Sequence, residues 1–455
     1  MMELPMLFIG AAAALVLAAA CGSAHAADAP KELVLNPDFS AGGEGGMPAH
    51  WAAWTPVWKN ASVAARRTPD GLVVEAPKEP YAIGGVEQQL AGIRGGQAYA
   101  IAVDAELRTI PCPRQSVLVR LTWTKGKEPV HPAGMCVRGP KVDGAAAKFE
   151  DVLMAPAEAD GATLSLEVKW PQGGTVVWKR ASVRPAAAPA PRKVKVGTVY
   201  LRPKDSTPEK NLELWTAKVA EAGKLGLDIV CLSESMTLIG TGRTMPEVAE
   251  PIPGPSTERL GAAARAARLW VVAGLTERQG DRLYNTAVLL DREGRLAGKY
   301  RKIHLPREEW RQGITPGHEY PVFKTDFGTI AIQICYDWFF PEPESIFALQ
   351  GAEILFAPTW GDTMADADGR AQGETVFRVR ARDNGIYLVP SVYDGQSMII
   401  DPMGRILASN KGREGVFWAE IDLATRECLP WVGHWRSIGP RDRMPGTYGP
   451  LTEPK

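Results

Sequence analysis

Three residues far apart along the 455-residue chain, Glu234, Lys302 and Cys335, each stand at or just beyond the end of an apolar run. In FGTIAIQICYDWFFPE the run ends at Cys335 and passes at once into polar and turn-forming residues as far as Pro341. An α/β sheet presents reactive groups at the carboxyl ends of its strands, where a sharp turn leaves a sulfur accessible with backbone N–H groups nearby. Glu234 follows the run LDIVCL, and Lys302 follows YNTAVLLDREGRLAGKY. Taken alone, a free cysteine is more often a core residue and a single Glu or Lys a solvated charge. One thiol, one acid and one ammonium at three strand ends point instead to nucleophilic catalysis by sulfur. His304, in KIHLP, offers a competing cysteine–histidine dyad of the thiol-protease kind, although a lone histidine in such a setting is more often a structural hydrogen-bonder.

The elements that must position these groups are legible from periodicity. VKVGTVY (194–200) reads as a strand, and Leu212, Trp215, Val219 and Ala222 then recur at spacings of three and four, on one face of a helix. LDIVCL (227–232) is the next strand, and Pro255-Ser256 opens an alanine-rich helix through Leu269 with Ser256 as its N-cap. WVVAGL, YNTAVLL, GTIAIQIC and EILFAP follow as nearly continuous apolar strands, as expected when both faces of a sheet are covered. Strands alternating with helices define an α/β domain. Upstream, GLVVEAP, AYAIAVDAEL, SVLVRLTW, ATLSLEVKW and GTVVWKRASV place β-branched and apolar residues between Gly, Pro and Asp breaks, which predicts an all-β sandwich. Between them RPAAAPAPRK favours an extended spacer. The expected organisation is two domains, 30–185 and 193–455, joined by a linker at 186–192.

Lysine plus arginine (52) equals aspartate plus glutamate (52), with no block of either sign, so nothing favours a nucleic acid or an anionic membrane as partner. A small neutral substrate fits better. The opening MMELPMLFIGAAAALVLAAACGSAHA reads as an export signal cleaved after Ala26, despite Glu3 and the lack of Lys or Arg before the apolar run. A lipid-modified Cys21 is the minor alternative; either implies an exported, periplasmic or secreted protein. Cys112 and Cys136 are then candidates for a disulfide. Cys231, Cys335 and Cys428 lack metal-like spacing, and no metal or cofactor is expected.

Residues 193 to about 450 resemble the nitrilase superfamily of carbon–nitrogen hydrolases: LSES, YRKIHLP and ICYDWFFPE occur in that family's order, supported by TPGHEYPVF, APTWG, RARDNGIYLVPS, IIDPMGRILA and the tail DRMPGTYGPL. The resemblance implies a four-layer αββα sandwich, with Glu234 as acid and base, Lys302 as stabiliser of negative charge and Cys335 as nucleophile. It also implies a second glutamate between lysine and cysteine; the EWRQGITPG context selects Glu309 over Glu308. Tyr336-Asp337 stands where members acting on nitriles commonly carry Trp, which puts amide or carbamoyl substrates ahead of nitriles. Tyr336, Trp338, Trp360, Arg378 and Arg382 are the pocket candidates. A homodimer or larger assembly is implied, with the tail after Asp422 similar to an arm wrapped around a partner. The competing reading is an inactive binding or scaffold protein that keeps the fold.

The phrase LVLNPDFSAGGEGGMPAHWAAW is similar to the opening of jelly-roll carbohydrate-binding modules. That likeness implies a jelly-roll sandwich and a carbohydrate partner, with Trp51, Trp54 and Trp58 offering flat faces to sugar rings. Core packing is the commoner fate of tryptophan in a small β-domain.

Overall fold

In the strand Ala98–Arg108, alternate residues Ile101, Val103, Ala105 and Leu107 are buried, the period-two pattern of a sheet with one face on a core. The computed structural model describes residues 31–75, 79, 81–130, 134–361, 369–370, 372–429 and 432–453; the export-signal reading of 1–26 and Cys21 lies outside the described residues. Up to Ala186 the described chain is β-rich, forming two six-stranded sheets. Their core holds the fully buried rings of Tyr99, Trp123, Phe149 and Trp178. Burying each such ring contributes on the order of 2–3 kcal/mol. Trp51 joins this core against Phe39, with ring centroids 5.1 Å apart, whereas Trp58 is 71% exposed. The expected disulfide is absent: Cys112 is exposed before the short helix Pro113–Ser116, while Cys136 is buried with Leu118 and Ile438, and both are free.

After the exposed stretch 187–192, the strand Lys193–Tyr200 begins the first of two further six-stranded sheets. It pairs in parallel with Ile229–Cys231, which pairs in parallel with Trp270–Gln279; Arg282–Leu290 and Leu296–Arg301 then add antiparallel strands. In the second sheet Thr329–Ile332, Ile354–Gly361 and Tyr387–Asp394 form the parallel centre. Alternation along the strands decides which core each residue enters. Ile229 and Cys231 face Ile332, Ile354 and Leu388 in a core shared by the two sheets. Val230 and Leu232 face the other way, toward Trp215, Val219 and Leu260 on the helices Pro208–Lys224 and Pro255–Ala267. Two buried hydroxyls fix one sheet against the other: Thr198 donates to the Pro390 carbonyl at 2.7 Å and Ser391 to that of Val199 at 2.8 Å.

The helix 255–267 starts differently from the expectation. Its N-cap is Gly254, whose N–H donates to Thr257 Oγ1 at 2.8 Å, and Ser256 lies inside the first turn, its N–H donating to Glu250. Proline at the first helical position fixes the entry and shifts the cap one place upstream of it.

The segment after Asp422 docks on the N-terminal half of its own chain. Arg426 binds both oxygens of Asp151 at 2.6 and 2.9 Å. In the helix Trp435–Asp442, Arg441 donates to the carbonyls of Arg114, Val137 and Gly139.

Candidate active site

Glu234 follows the strand Ile229–Cys231 by three residues and is 2% exposed. The turn that carries it presses against the neighbouring strand so closely that only glycine fits at position 274: a Cβ there would stand 2.6 Å from Glu234 Cα and 2.8 Å from the Ser233 carbonyl. Lys302 immediately follows the strand Leu296–Arg301, its N–H donating to the Asn285 carbonyl at 2.9 Å. It too is buried, at 1% exposure. Behind it Gly317 donates its N–H to the Lys302 carbonyl at 2.8 Å, and a Cβ at 317 would meet the Arg301 carbonyl at 2.2 Å, a physical reason for glycine in TPGHEYPVF.

These side chains meet. Lys302 Nζ donates to Glu234 Oε1 at 2.9 Å and also to Glu309. Asn285 Nδ2 donates to Glu234 Oε1 at 2.7 Å and to Glu309 Oε2 at 3.2 Å. The second oxygen of Glu234 accepts the backbone N–H of Trp360 at 2.6 Å. Glu234, Lys302 and the Trp360 amide all bear on the Cys335 thiol, so the sulfur lies beside this carboxylate–ammonium cluster.

Cys335 opens a single turn of 3-10 helix, Cys335–Phe339, with φ +41°. Such a left-handed conformation costs a non-glycine residue about 1–3 kcal/mol and persists only where the surroundings over-determine it. Asp337 supplies that constraint. Its Oδ2 accepts from Ile334 N at 3.0 Å and Tyr300 Oη at 2.8 Å, and its Oδ1 accepts from His304 N at 3.0 Å and lies 2.8 Å from His304 Nδ1. The His304 ring also stacks on Phe340 at 4.0 Å. His304 is thus tied to the turn that carries the cysteine.

Electrostatics follow from burial and from two carboxylates facing one ammonium. Burial first, then the charge of Glu234, pushes the Cys335 thiol well above its usual range, against the opposing pull of Lys302. Burial would lower the Lys302 pKa, but Glu234, Cys335 and Glu309 outweigh it and hold the ammonium protonated. Burial, reinforced by Glu234, pushes Glu309 up to about 7 against the attraction of Lys302.

The remaining candidates separate. Tyr336 is half-buried beside the cysteine, its ring 4.9 Å from that of Phe339. Trp360 is 38% exposed, with its ring against Tyr393 at 5.5 Å and its backbone in the cluster. Trp338, expected in the pocket, is instead a core residue: it is 2% exposed and packed between Phe339 and Phe377, because the 3-10 turn rotates it inward. Arg378 donates to the Gly404 carbonyl and Glu374, away from this cluster, and Arg382 lines a different cavity. Glu308 is exposed, so Glu309 is the one of the pair that turns inward. Sequence reasoning missed Asn285, Tyr300 and Asp337 as supports. A carboxamide at the start of the otherwise apolar run in YNTAVLL was the available signal for the first.

A partly buried thiol just past a strand end, facing a carboxylate and a lysine across two stacked sheets, is the arrangement of a carbon–nitrogen hydrolase. The carbon–nitrogen hydrolase family model matches residues 195–429, and the chain belongs to that family. A nitrilase of Pyrococcus abyssi is 34% identical over 248 residues, covering 50% of this chain and 90% of the relative. The omega-amidase of Xenopus tropicalis is 31% identical over 233 residues, covering 47% of this chain and 83% of the relative. Among solved structures, Nit3 of Saccharomyces cerevisiae, a member of the nitrilase superfamily, is 26% identical over 50% of this chain and 90% of its own, with a TM-score of 0.45. The protein is a carbon–nitrogen hydrolase with a nitrilase-like fold in its C-terminal region and a β-rich N-terminal region.

Proposed function

We propose that the protein hydrolyses a non-peptide carbon–nitrogen bond, amide or N-carbamoyl, through a thioester on Cys335. The observation that carries this reading is the convergence of the Cys335 thiol with Glu234, itself 2.9 Å from Lys302 Nζ. With the thiol held above its usual range, sulfur rests protonated and needs a base at the moment of attack. Glu234 takes that proton as Sγ bonds to the carbonyl carbon. The oxygen that gains charge is met by the Lys302 ammonium and the backbone N–H of Tyr336. Glu234 passes the proton to the departing nitrogen as the carbon–nitrogen bond breaks. A water then loses a proton to Glu234 and attacks the thioester, and that proton returns to sulfur as the acid leaves. Asn285 and Glu309 hold Lys302 and Glu234 in register.

Likeness to omega-amidases favours an amide, and Tyr336-Asp337 is the form associated with amides and carbamoyl groups. Helices outside two sheets that share a core support the αββα layering, and the two β-rich sheets around a common core support a jelly-roll-like sandwich. We read 30–185 and 193–455 as two domains joined by 186–192, in an exported protein that assembles at least as a homodimer. Exposed Trp58 keeps a carbohydrate contact open for the first domain.

Mass spectrometry of wild type and Cys335→Ala after exposure to simple amides tests the mechanism. An acyl adduct of wild type alone is expected; equal turnover by both proteins would remove Cys335 from the chemistry.

A further inference from the structure

A cavity of about 1110 Å³ lies between the β-rich half, the hydrolase half and the C-terminal segment. It is large enough for a small-molecule ligand. None of Glu234, Lys302 and Cys335 lines it. Eight arginine and lysine residues do, against two carboxylates, Glu353 and Glu427.

Those carboxylates are already engaged. Glu353 pairs with Arg192 at 2.7 Å and Glu427 with Arg405, while the adjacent Asp151 is shared by Arg138 and Arg426. Among the described residues Arg114, Arg382, Arg436 and Arg441 have no carboxylate within ion-pair distance. Arg441, 4% exposed, spends its donors on backbone carbonyls. Arg436 uses only Nη2, toward the carbonyls of Gly351 and Ala352 at 3.0 and 2.7 Å, so its Nε and Nη1 are left without a protein acceptor among the described residues. Arg114 and Arg382 are exposed on the cavity wall and Arg436 is half-buried there, and arginine presents a planar fork suited to oxyanions.

We propose that this cavity is a binding site for a small oxyanion carrying two or more negative charges, held chiefly by Arg436 with Arg114 and Arg382. The titration directions agree. Burial first, with repulsion from Arg192 and Arg114, lowers Arg436 against the attraction of Glu353; burial, with Arg114 and Arg120, lowers Arg441 against Cys136 and Asp442. His434, on the same wall, is pushed down to about 4 by burial and by Arg426 and Arg436. An anion would relieve all three. Because its walls come from both halves and from the tail, an occupant would also bridge them.

Isothermal titration calorimetry of the full chain at low salt, with inorganic pyrophosphate and citrate as probes, tests this site. Binding of one equivalent is expected, tighter for pyrophosphate if the site is made for phosphate and tighter for citrate if made for carboxylates. Arg436→Gln should weaken it by about tenfold or more. Arg382→Gln, which removes no hydrogen bond to the protein, should weaken it severalfold and serves if the first variant fails to fold. No binding of either probe up to about 10 mM, or unchanged affinity in a folded variant, overturns the proposal.

Discussion

The two halves of the molecule bury charge very differently. Among the described residues up to Ala186, one charged side chain is buried, Asp151, and it is bound by Arg138 and Arg426. From Lys193 on, nine are buried: Glu234, Glu277, Asp291, Lys302, Glu309, Asp337, Glu344, Asp401 and Arg441. A buried charge is weak evidence for stability, since desolvation offsets most of the Coulombic gain. The β-rich half buries almost no charge in its apolar core, whereas the hydrolase half buries nine, three of which, Glu234, Lys302 and Glu309, meet in one cluster. Lys302 and Arg441 sharpen the point. The first is a cation outnumbered by carboxylates and held protonated; the second is lowered by burial and by Arg114 and Arg120, and its donors go to backbone carbonyls.

Lys302→Met breaks the contrast most severely. It leaves Glu234 and Glu309 facing each other without a cation and removes the oxyanion donor, so kcat should fall by at least about 10³-fold and the thermal midpoint should drop as well. Steady-state ammonia or amine release and thermal melts would show both; retained turnover would exclude Lys302 from the mechanism. Gly274→Ala tests geometry instead of charge. Its Cβ cannot fit 2.6 Å from Glu234 Cα, so the displaced carboxylate should cost about 100-fold in kcat. Gly43→Ala in the other half meets open space and should change stability by no more than about 0.5 kcal/mol.

Glu344→Gln probes a buried carboxyl outside the catalytic cluster. Burial pushes Glu344 up to about 8, against the Gln333 amide donating at 2.9 Å, its own backbone N–H, and Arg380 at 3.8 Å. A folded pKa above the unfolded value near 4.5 means that the neutral form favours folding; this contribution is complete below 4.5 and is lost as pH rises through about 8. Wild type should therefore lose roughly a few kcal/mol relative to the glutamine variant between pH 5 and pH 8.5, measurable by denaturant melts at each pH. An invariant difference would mean that the carboxyl keeps its ordinary titration. The smallest effect belongs to Trp58→Ala: at 71% exposure the ring contributes little packing, so stability should change by less than about 0.5 kcal/mol.

Much of this was legible in residue order because strand alternation and helix periodicity are local. Leu212, Trp215, Val219 and Ala222 are all buried on the helix 208–224, and the break before Lys193 is where one sheet system ends and the next begins. Glu234, Lys302 and Cys335 were readable as a set because each stands within three residues of a strand's end, and strand ends on neighbouring sheets have few places to point. What escaped was non-local or a matter of rotation. Asn285 bridges two glutamates only because its strand pairs beside Lys302. Trp338 turns inward because Cys335 adopts φ +41° and tightens the following residues into a 3-10 turn. The tail's attachment depends on Asp151 and on carbonyls some 300 residues away, 304 for Val137, which no local pattern signals.

That attachment imposes an order of events. A growing chain that has emerged as far as Asp422 already contains every described strand of both sheet systems, yet lacks Arg426, Arg441 and Asp442, whose side chains bind the β-rich half. Both sheet systems can therefore close before these contacts exist, and the docking of one on the other follows once the segment after Asp422 has emerged.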